Sequence, residues 1–365
     1  MEISCQKKKR KSCKKKKPEK RGLCELPDEL ILKVFSLLPL FEETLARRLI
    51  SKYWEGPWKL DPNVMFDDGS PESFATFMSF VYGSLMSNDA QILECLHLKL
   101  RQNYPVTDIN FCVQIGVYRS VRELRIALFG KTLEFPCCLS TCRTLKELVL
   151  HNLCIEVVPL WFRLPSLKTL KLLRVKFSGD SVASLLRTFP VLEHLVVDQT
   201  KEEDSLISKI NVPTLRRLSI HNRERTPWYM SVGTNFSSLE HLKLCTCFGG
   251  WRTLLACILN DTPKLRSLTL KLKHKAKPND DLQETQLWEK PPIVPECLST
   301  HLEILKWRGY AGTKHEKSMV RYILANAACL KKATFSTKCR NQCDTRFRAL
   351  RSMYKVSEKC QLVFD

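Results

Sequence analysis

The sequence predicts an α/β solenoid, and three observations carry that prediction. A six-residue pattern, L-x-x-L-x-L or a close apolar equivalent, returns eight times. It reads LECLHL at Leu93–Leu98, VRELRI at Val121–Ile126, LKELVL at Leu145–Leu150 and LKTLKL at Leu167–Leu172. It continues as LEHLVV at Leu192–Val197, LRRLSI at Leu215–Ile220, LEHLKL at Leu239–Leu244 and LRSLTL at Leu265–Leu270. The starts lie 22 to 28 residues apart, a period at which one supersecondary unit stacks on the next and the units share a core. Within each copy the apolar residues alternate as in an extended strand, so Leu148 and Leu150 take one face and Val149 the other. Ordinary hydrophobic strands have no reason to return at one period.

The period and pattern are those of leucine-rich repeats, placed at residues 93–270. Parallel strands need crossovers; residues 180–190 and 251–263 supply two of them. Positions between the apolar residues form an open face. The candidate partner-facing residues there are Arg122, Arg125, Lys146, Lys168, Lys171, His194, Arg216, Arg217, His241, Lys243 and Arg266, against fewer acids at Glu123, Glu147, Glu193 and Glu240. A protein client is the expected partner, and an acidic patch is its expected complement. His194 and His241 hold the same place in two copies of LEHL, which fits a periodic surface better than a metal site.

At 365 residues the chain has room for more than one domain. No run approaches ~18 apolar residues, so no membrane span is expected, and the basic N-terminus has no apolar core behind it, so no secretory leader is expected. Seventeen cysteines are scattered without a C-x-x-C pair, which favours reduced thiols over a disulfide scaffold and argues against zinc. The net charge is +21, of which +9 falls in the first 21 residues. Residues 1–22 are a lysine-rich tail too polar to form a core. Its runs Lys7–Lys11 and Lys14–Lys17 suit nuclear import or a loose polyanion contact, so nucleus and cytoplasm are the expected compartments.

Residues 23–62 form a separate small unit. Pro27 suits a first helical turn, Asp28 and Glu29 complement the helix dipole, and Leu30, Ile31, Val34, Phe35 and Leu38 fall on one face before Pro39 stops the helix. A second short helix carries Leu45, Leu49 and Ile50. About 40 residues cannot cover so many apolar side chains alone, which predicts a docking module. Residues 63–92 read as a linker: Phe74, Phe77, Met78, Val81, Tyr82 and Leu85 recur at helical spacing. Residues 271–292 are polar and read as an exposed loop. Residues 293–365 offer a strand at Leu302–Trp307, a turn with Gly309 and Gly312, a helix with Met319, Tyr322 and Ile323, and strands at Leu330–Phe335 and near the end.

LPDELILKVFSLLP followed by LISKYW resembles an F-box. LxxLxL with runs such as VLHNLCI resembles the irregular repeats of plant F-box proteins. VPECL, LEILKWRGYAG, RYILANAACLKKAT and the final CQLVFD resemble the FBD domain found at the C-terminus of such proteins. The resemblance implies an N-terminal three-helix F-box, a leucine-rich-repeat body and a C-terminal FBD domain capping the open strand edge. It implies docking onto a Skp-type adaptor, and through it onto a cullin–RING ubiquitin ligase, by Leu26, Pro27, Glu29, Leu30, Leu38, Pro39 and Trp54. The implied role is that of a non-catalytic substrate receptor without cofactor.

No phosphate-cradling G-x-x-x-x-G-K-[ST], no H-E-x-x-H and no G-x-S-x-G occurs, so no catalytic motif competes with that expectation. Two alternatives stand beside it. One is an F-box scaffold without ubiquitin transfer. The other is a basic nucleic-acid-associated repeat protein; the partner-facing strand positions hold no aromatic to stack on a base, which argues against it.

Overall fold

The computed structural model describes residues 60–69, 74–132, 136–155, 157–177, 181–199, 210–222, 236–247, 251–272, 290–337 and 343–365. The chain divides into two compact units, Met1–Asp61 and Pro62–Asp365, and the second holds nearly all of these residues. Of the segment expected as an F-box, residues 23–59 lie outside them.

The second unit is built on one sheet. Its strands are β1 (Asn63–Asp67), β2 (Cys95–Leu100), β3 (Glu123–Thr132), β4 (Glu147–Ile155), β5 (Thr169–Leu173), β6 (Lys176–Phe177), β7 (His194–Gln199), β8 (Arg217–Asn222), β9 (His241–Cys245), β10 (Ser267–Lys271), β11 (Ile304–Arg308), β12 (Lys332–Ser336) and β13 (Gln361–Phe364). They pair in chain order, with only the two-residue β6 lying off the path, on β4. Every pairing is parallel.

Parallel register turns the sequence period into rows of side chains. The leading leucine of each repeat makes the first apolar row: Leu93, Val121, Leu145, Leu167, Leu192, Leu215, Leu239 and Leu265 are all fully buried, and Leu302 and Leu330 continue them. The second row runs Leu96, Leu124, Leu148, Leu170, Leu195, Leu218, Leu242, Leu268, Leu305 and Ala333, none more than 1% exposed. Each such leucine contributes roughly 1.5–3 kcal/mol by leaving water. The same turn recurs before the strands: the N–H of Leu167, Leu192, Leu215, Leu239 and Leu265 donates to the carbonyl three residues back.

The crossovers vary more than the strands do. Helix α1 (Phe74–Ser87) precedes β2, α2 (Val106–Tyr118) precedes β3, α3 (Ser181–Arg187) precedes β7 and α4 (Trp251–Asn260) precedes β10. A short 3-10 turn at Cys137–Thr141 serves before β4. The two crossovers expected from sequence around residues 180–190 and 251–263 are thus helical. Helix α1 buries Phe77, Met78, Val81 and Leu85, and its Tyr82 hydroxyl donates to Asp108 of α2 at 2.8 Å.

The ladder is longer at both ends than the eight-copy pattern indicates. Residues 63–67, within the segment expected as a linker, form a strand in register with β2. The buried Asp68 after it fastens the loop following β2, accepting from the N–H groups of Arg101 and Gln102 at 2.7 to 2.9 Å and from the Tyr104 hydroxyl at 3.0 Å. At the other end, the C-terminal segment expected to cap the strand edge instead extends it. β11, β12 and β13 are three more rungs in the same register. The reason is visible in the rows, where Trp307, Phe335 and Phe364 continue the line of Leu244 and Leu270.

This end of the core is aromatic. Trp251 packs on Trp307 at 6.0 Å between ring centres, Trp307 on Tyr310 at 5.5 Å, Tyr310 on Phe335 at 5.6 Å, and Phe335 on Phe364 at 6.2 Å. Gly309 makes the turn after β11 at φ +81°, where a Cβ would lie 2.8 Å from Leu272. Helices α5 (Glu296–Thr300), α6 (Lys314–Asn326) and α7 (Cys343–Arg351) complete this part. α6 starts in a capping box: the Thr313 hydroxyl accepts from the Glu316 N–H, and the Glu316 carboxylate accepts from the Thr313 N–H, an arrangement worth about 1 kcal/mol.

Candidate interaction face

Strand residues that alternate with the buried rows form three face rows. The first runs Glu123, Glu147, Thr169, His194, Arg217, His241, Ser267, Ile304 and Lys332 from β3 to β12. The second runs Arg125, Val149, Lys171, Val196, Ser219, Lys243, Thr269, Lys306 and Thr334. The third includes Asp67, Lys99, His151, Asp198, His221, Lys271 and Arg308. Ahead of the strands lies a charged row, Glu94, Arg122, Lys146, Lys168, Glu193, Arg216, Glu240, Arg266, Glu303 and Lys331. There, from Lys146 onward, each N–H donates to the carbonyl of the member before it.

The structure separates the candidate residues into groups. Much of the positive charge read from sequence is neutralised within the ladder. Arg122 pairs with Glu94 at 2.8 Å, Lys168 with Glu193 at 2.9 Å, Lys171 with Glu147 at 2.6 Å and Arg216 with Glu240 at 2.8 Å; Arg125 pairs with Glu123. Lys168 holds the Glu193 carboxyl below its ordinary pKa through its hydrogen bond, and Arg216 does the same for Glu240. Lys146 and Arg266 belong to the charged row. His194, Arg217 and His241 stand side by side on β7, β8 and β9, and Lys243 is one face row further along β9. Burial, then the Arg217 charge, lowers the pKa of both imidazoles, so both are neutral near pH 7.

Six further cations on these rows were missed from sequence: Lys99, just after the LECLHL copy, and Lys271, Lys306, Arg308, Lys331 and Lys332. The repeat was ended at residue 270, yet LEILKWR and LKKATF carry the same alternation, and that was the available signal. A shallow groove of about 410 Å³ opens at the start of β7 to β10, lined in part by Glu193, Arg216, Glu240 and Lys264. Its charges are mixed and the Arg216–Glu240 pair spans it, so it favours no single class of ligand.

No group of three or more His, Cys, Asp or Glu side chains that could hold a metal occurs among the described residues. The described cysteines are unbridged, and burial pushes the thiols of Cys112 and Cys297 up, to about 12 and about 11, far from a reactive thiolate. No helix among the described residues is long and apolar enough to cross a membrane. Leu26, Pro27, Glu29, Leu30, Leu38, Pro39 and Trp54 lie outside the described residues.

A parallel ladder with one buried and one open face is a leucine-rich-repeat architecture, and a family model for the repeats of an FBD-associated F-box protein matches residues 110–225. The FBD model matches residues 290–335, the stretch from just before α5 to β12. The F-box/FBD/LRR-repeat protein At5g56570 of Arabidopsis thaliana is 51% identical over 423 residues, covering 97% of this chain and 94% of its own length. The FBD-associated F-box protein At5g56560 of the same plant is 51% identical over 416 residues, covering 94% of this chain and 99% of its own length. The F-box/FBD/LRR-repeat protein At3g52680, also from Arabidopsis thaliana, is 32% identical over 429 residues, covering 94% and 93%. The chain belongs to the plant F-box/FBD/leucine-rich-repeat family.

Proposed function

We propose that the protein is the substrate-recognition subunit of an SCF-type cullin–RING ubiquitin ligase. Residues 23–62 would dock a Skp-type adaptor through Leu26, Pro27, Glu29, Leu30, Leu38, Pro39 and Trp54, and the repeat ladder would hold a protein client. The observation that carries this is the F-box-like LPDELILKVFSLLP segment standing before a ladder with an open face, in a chain whose relatives are named as F-box proteins. The chain would make no covalent bond itself. Its contribution is to raise the effective concentration of a client lysine near the ubiquitin-charged enzyme. The lysine-rich tail, residues 1–22, would direct it to the nucleus, with a cytoplasmic pool before import.

The test is capture of a purified Skp-type adaptor by the full chain and by a Leu26→Ala/Pro27→Ala variant. The intact chain should retain the adaptor, and the double substitution should weaken capture by tenfold or more, on the order expected for losing two central contacts. An intact chain that does not hold the adaptor overturns the role.

A further inference from the structure

The open face has two electrostatic halves, and only one of them is balanced. From β1 to β7 the face rows carry Lys99, Arg125 and Lys171 against Asp67, Glu123, Glu147 and Asp198. Each of those three cations has a carboxylate partner. From β8 to β12 the face rows carry Arg217, Lys243, Lys271, Lys306, Arg308 and Lys332, with no Asp or Glu at any face position. Every strand from β8 to β12 contributes at least one cation. Lys271 and Arg308 sit directly opposite each other in register, an arrangement that costs stability when no acid stands between. Arg217, Lys306, Arg308 and Lys332 are exposed, and none of these four appears in an ion pair among the described residues.

We infer that the face of β8 to β12 is a docking surface for an acidic protein segment, an Asp/Glu-rich stretch of the client laid across the strands. Neighbouring strands lie ~4.8 Å apart, so a segment crossing them meets a positive charge at each step. Charge complementarity of this kind speeds encounter and fixes orientation. A nucleic acid would also feel the charge, but these face positions hold no Phe, Tyr or Trp on which a base could stack. The inference rests on the client-holding role proposed for the ladder and names the chemistry of what is held.

The test uses the full chain and three fluorescent probes of matched charge: an Asp/Glu-rich peptide, a phosphoserine-rich peptide and a single-stranded DNA. The acidic peptide should bind, more weakly as salt is added. Lys306→Glu/Arg308→Glu should weaken it by about tenfold or more at low salt. Lys314→Glu/Arg321→Glu changes net charge equally, at exposed positions of α6 away from the face, and should leave affinity within about twofold. Circular dichroism confirms folding of each variant. Lys306→Gln/Lys332→Gln, a milder pair, should weaken binding in the same direction.

Equal losses in both reversal variants would mean net charge alone is at work and would overturn the surface. So would a DNA probe that outcompetes the acidic peptide. A phosphoserine peptide favoured over Asp/Glu overturns the Asp/Glu assignment. Adaptor capture, measured on the same samples, separates the two proposals. Capture without peptide binding sinks the surface alone, and peptide binding without capture sinks the receptor role while upholding the surface.

Discussion

The two halves of the face, β1–β7 and β8–β12, sit on the same core and carry different charge. Beneath both run the same buried rows, filled at 0–1% exposure by Leu124, Leu148 and Leu170 in one half and by Leu218, Leu268 and Leu305 in the other. Above, the first half neutralises its own cations, and in the second Arg217, Lys306, Arg308 and Lys332 enter no ion pair among the described residues. The difference teaches where a repeat protein is free to vary. Core positions are bound by packing, because a cavity or an overfilled site costs the whole stack. Face positions are bound only by solubility and by whatever they must meet.

If the halves differ only on the face, truncating the core should hurt them alike. Leu148→Ala and Leu305→Ala should each cost about 2–5 kcal/mol, since both remove a fully buried side chain at the same row. Denaturant midpoints compare them, and a cost near zero for either would break the equivalence.

A smaller and pH-dependent effect is largest in the first half, at His97, while His241 in the second half is shifted in the same direction. His97 on β2 has its pKa lowered to about 4, first by burial, then by Arg125 and Lys99, with Asp67 opposing. The folded state therefore prefers the neutral ring. Its contribution is fully present above the ordinary value of 6.5 and is lost as pH falls from there toward about 4. His97→Gln should give a flatter fall of melting temperature between those two pH values than the natural chain shows. Curves that stay parallel would leave His97 without that role.

The smallest effect sharpens the comparison by its sign. Lys171→Met removes a pair with Glu147 and should cost at most about 1 kcal/mol. Lys271→Met removes a cation facing Arg308 and should be neutral or stabilising by a few tenths, roughly 0.2–0.5 kcal/mol. Equal destabilisation in thermal melts would erase the electrostatic distinction between the halves.

Much of the ladder was legible in sequence because a strand's period of two and a repeat's period near 24 are both written in leucines. The first strand was harder. β1 has Val64 and Phe66 at its inward positions, so a search for leucine passes over it, whereas the alternation of LKKATF makes β12 readable although Ala333 and Phe335 stand inward. Helix α1 was readable from its spacing because six apolar residues recur over three turns. The face was legible residue by residue and not as a surface. Arg216 and Glu240 are 24 residues apart, and nothing local announces that they meet at 2.8 Å. Charge balance became visible only once register placed neighbours side by side.

The run of rings from Trp251 through Trp307, Tyr310 and Phe335 to Phe364 has a consequence for observing the molecule. Asymmetrically packed, water-shielded aromatics give a strong near-ultraviolet dichroism; Phe77 and Tyr104 pack near β1 and β2, but among the described residues the buried tryptophans, Trp251 and Trp307, both lie at this end, so the tryptophan bands are its signal. Loss of that signal would time the loosening of the last rungs, while the far-ultraviolet signal times the chain as a whole. The FBD end thus carries a built-in optical clock, and a gap between the two signals would measure how far the ladder frays before it fails.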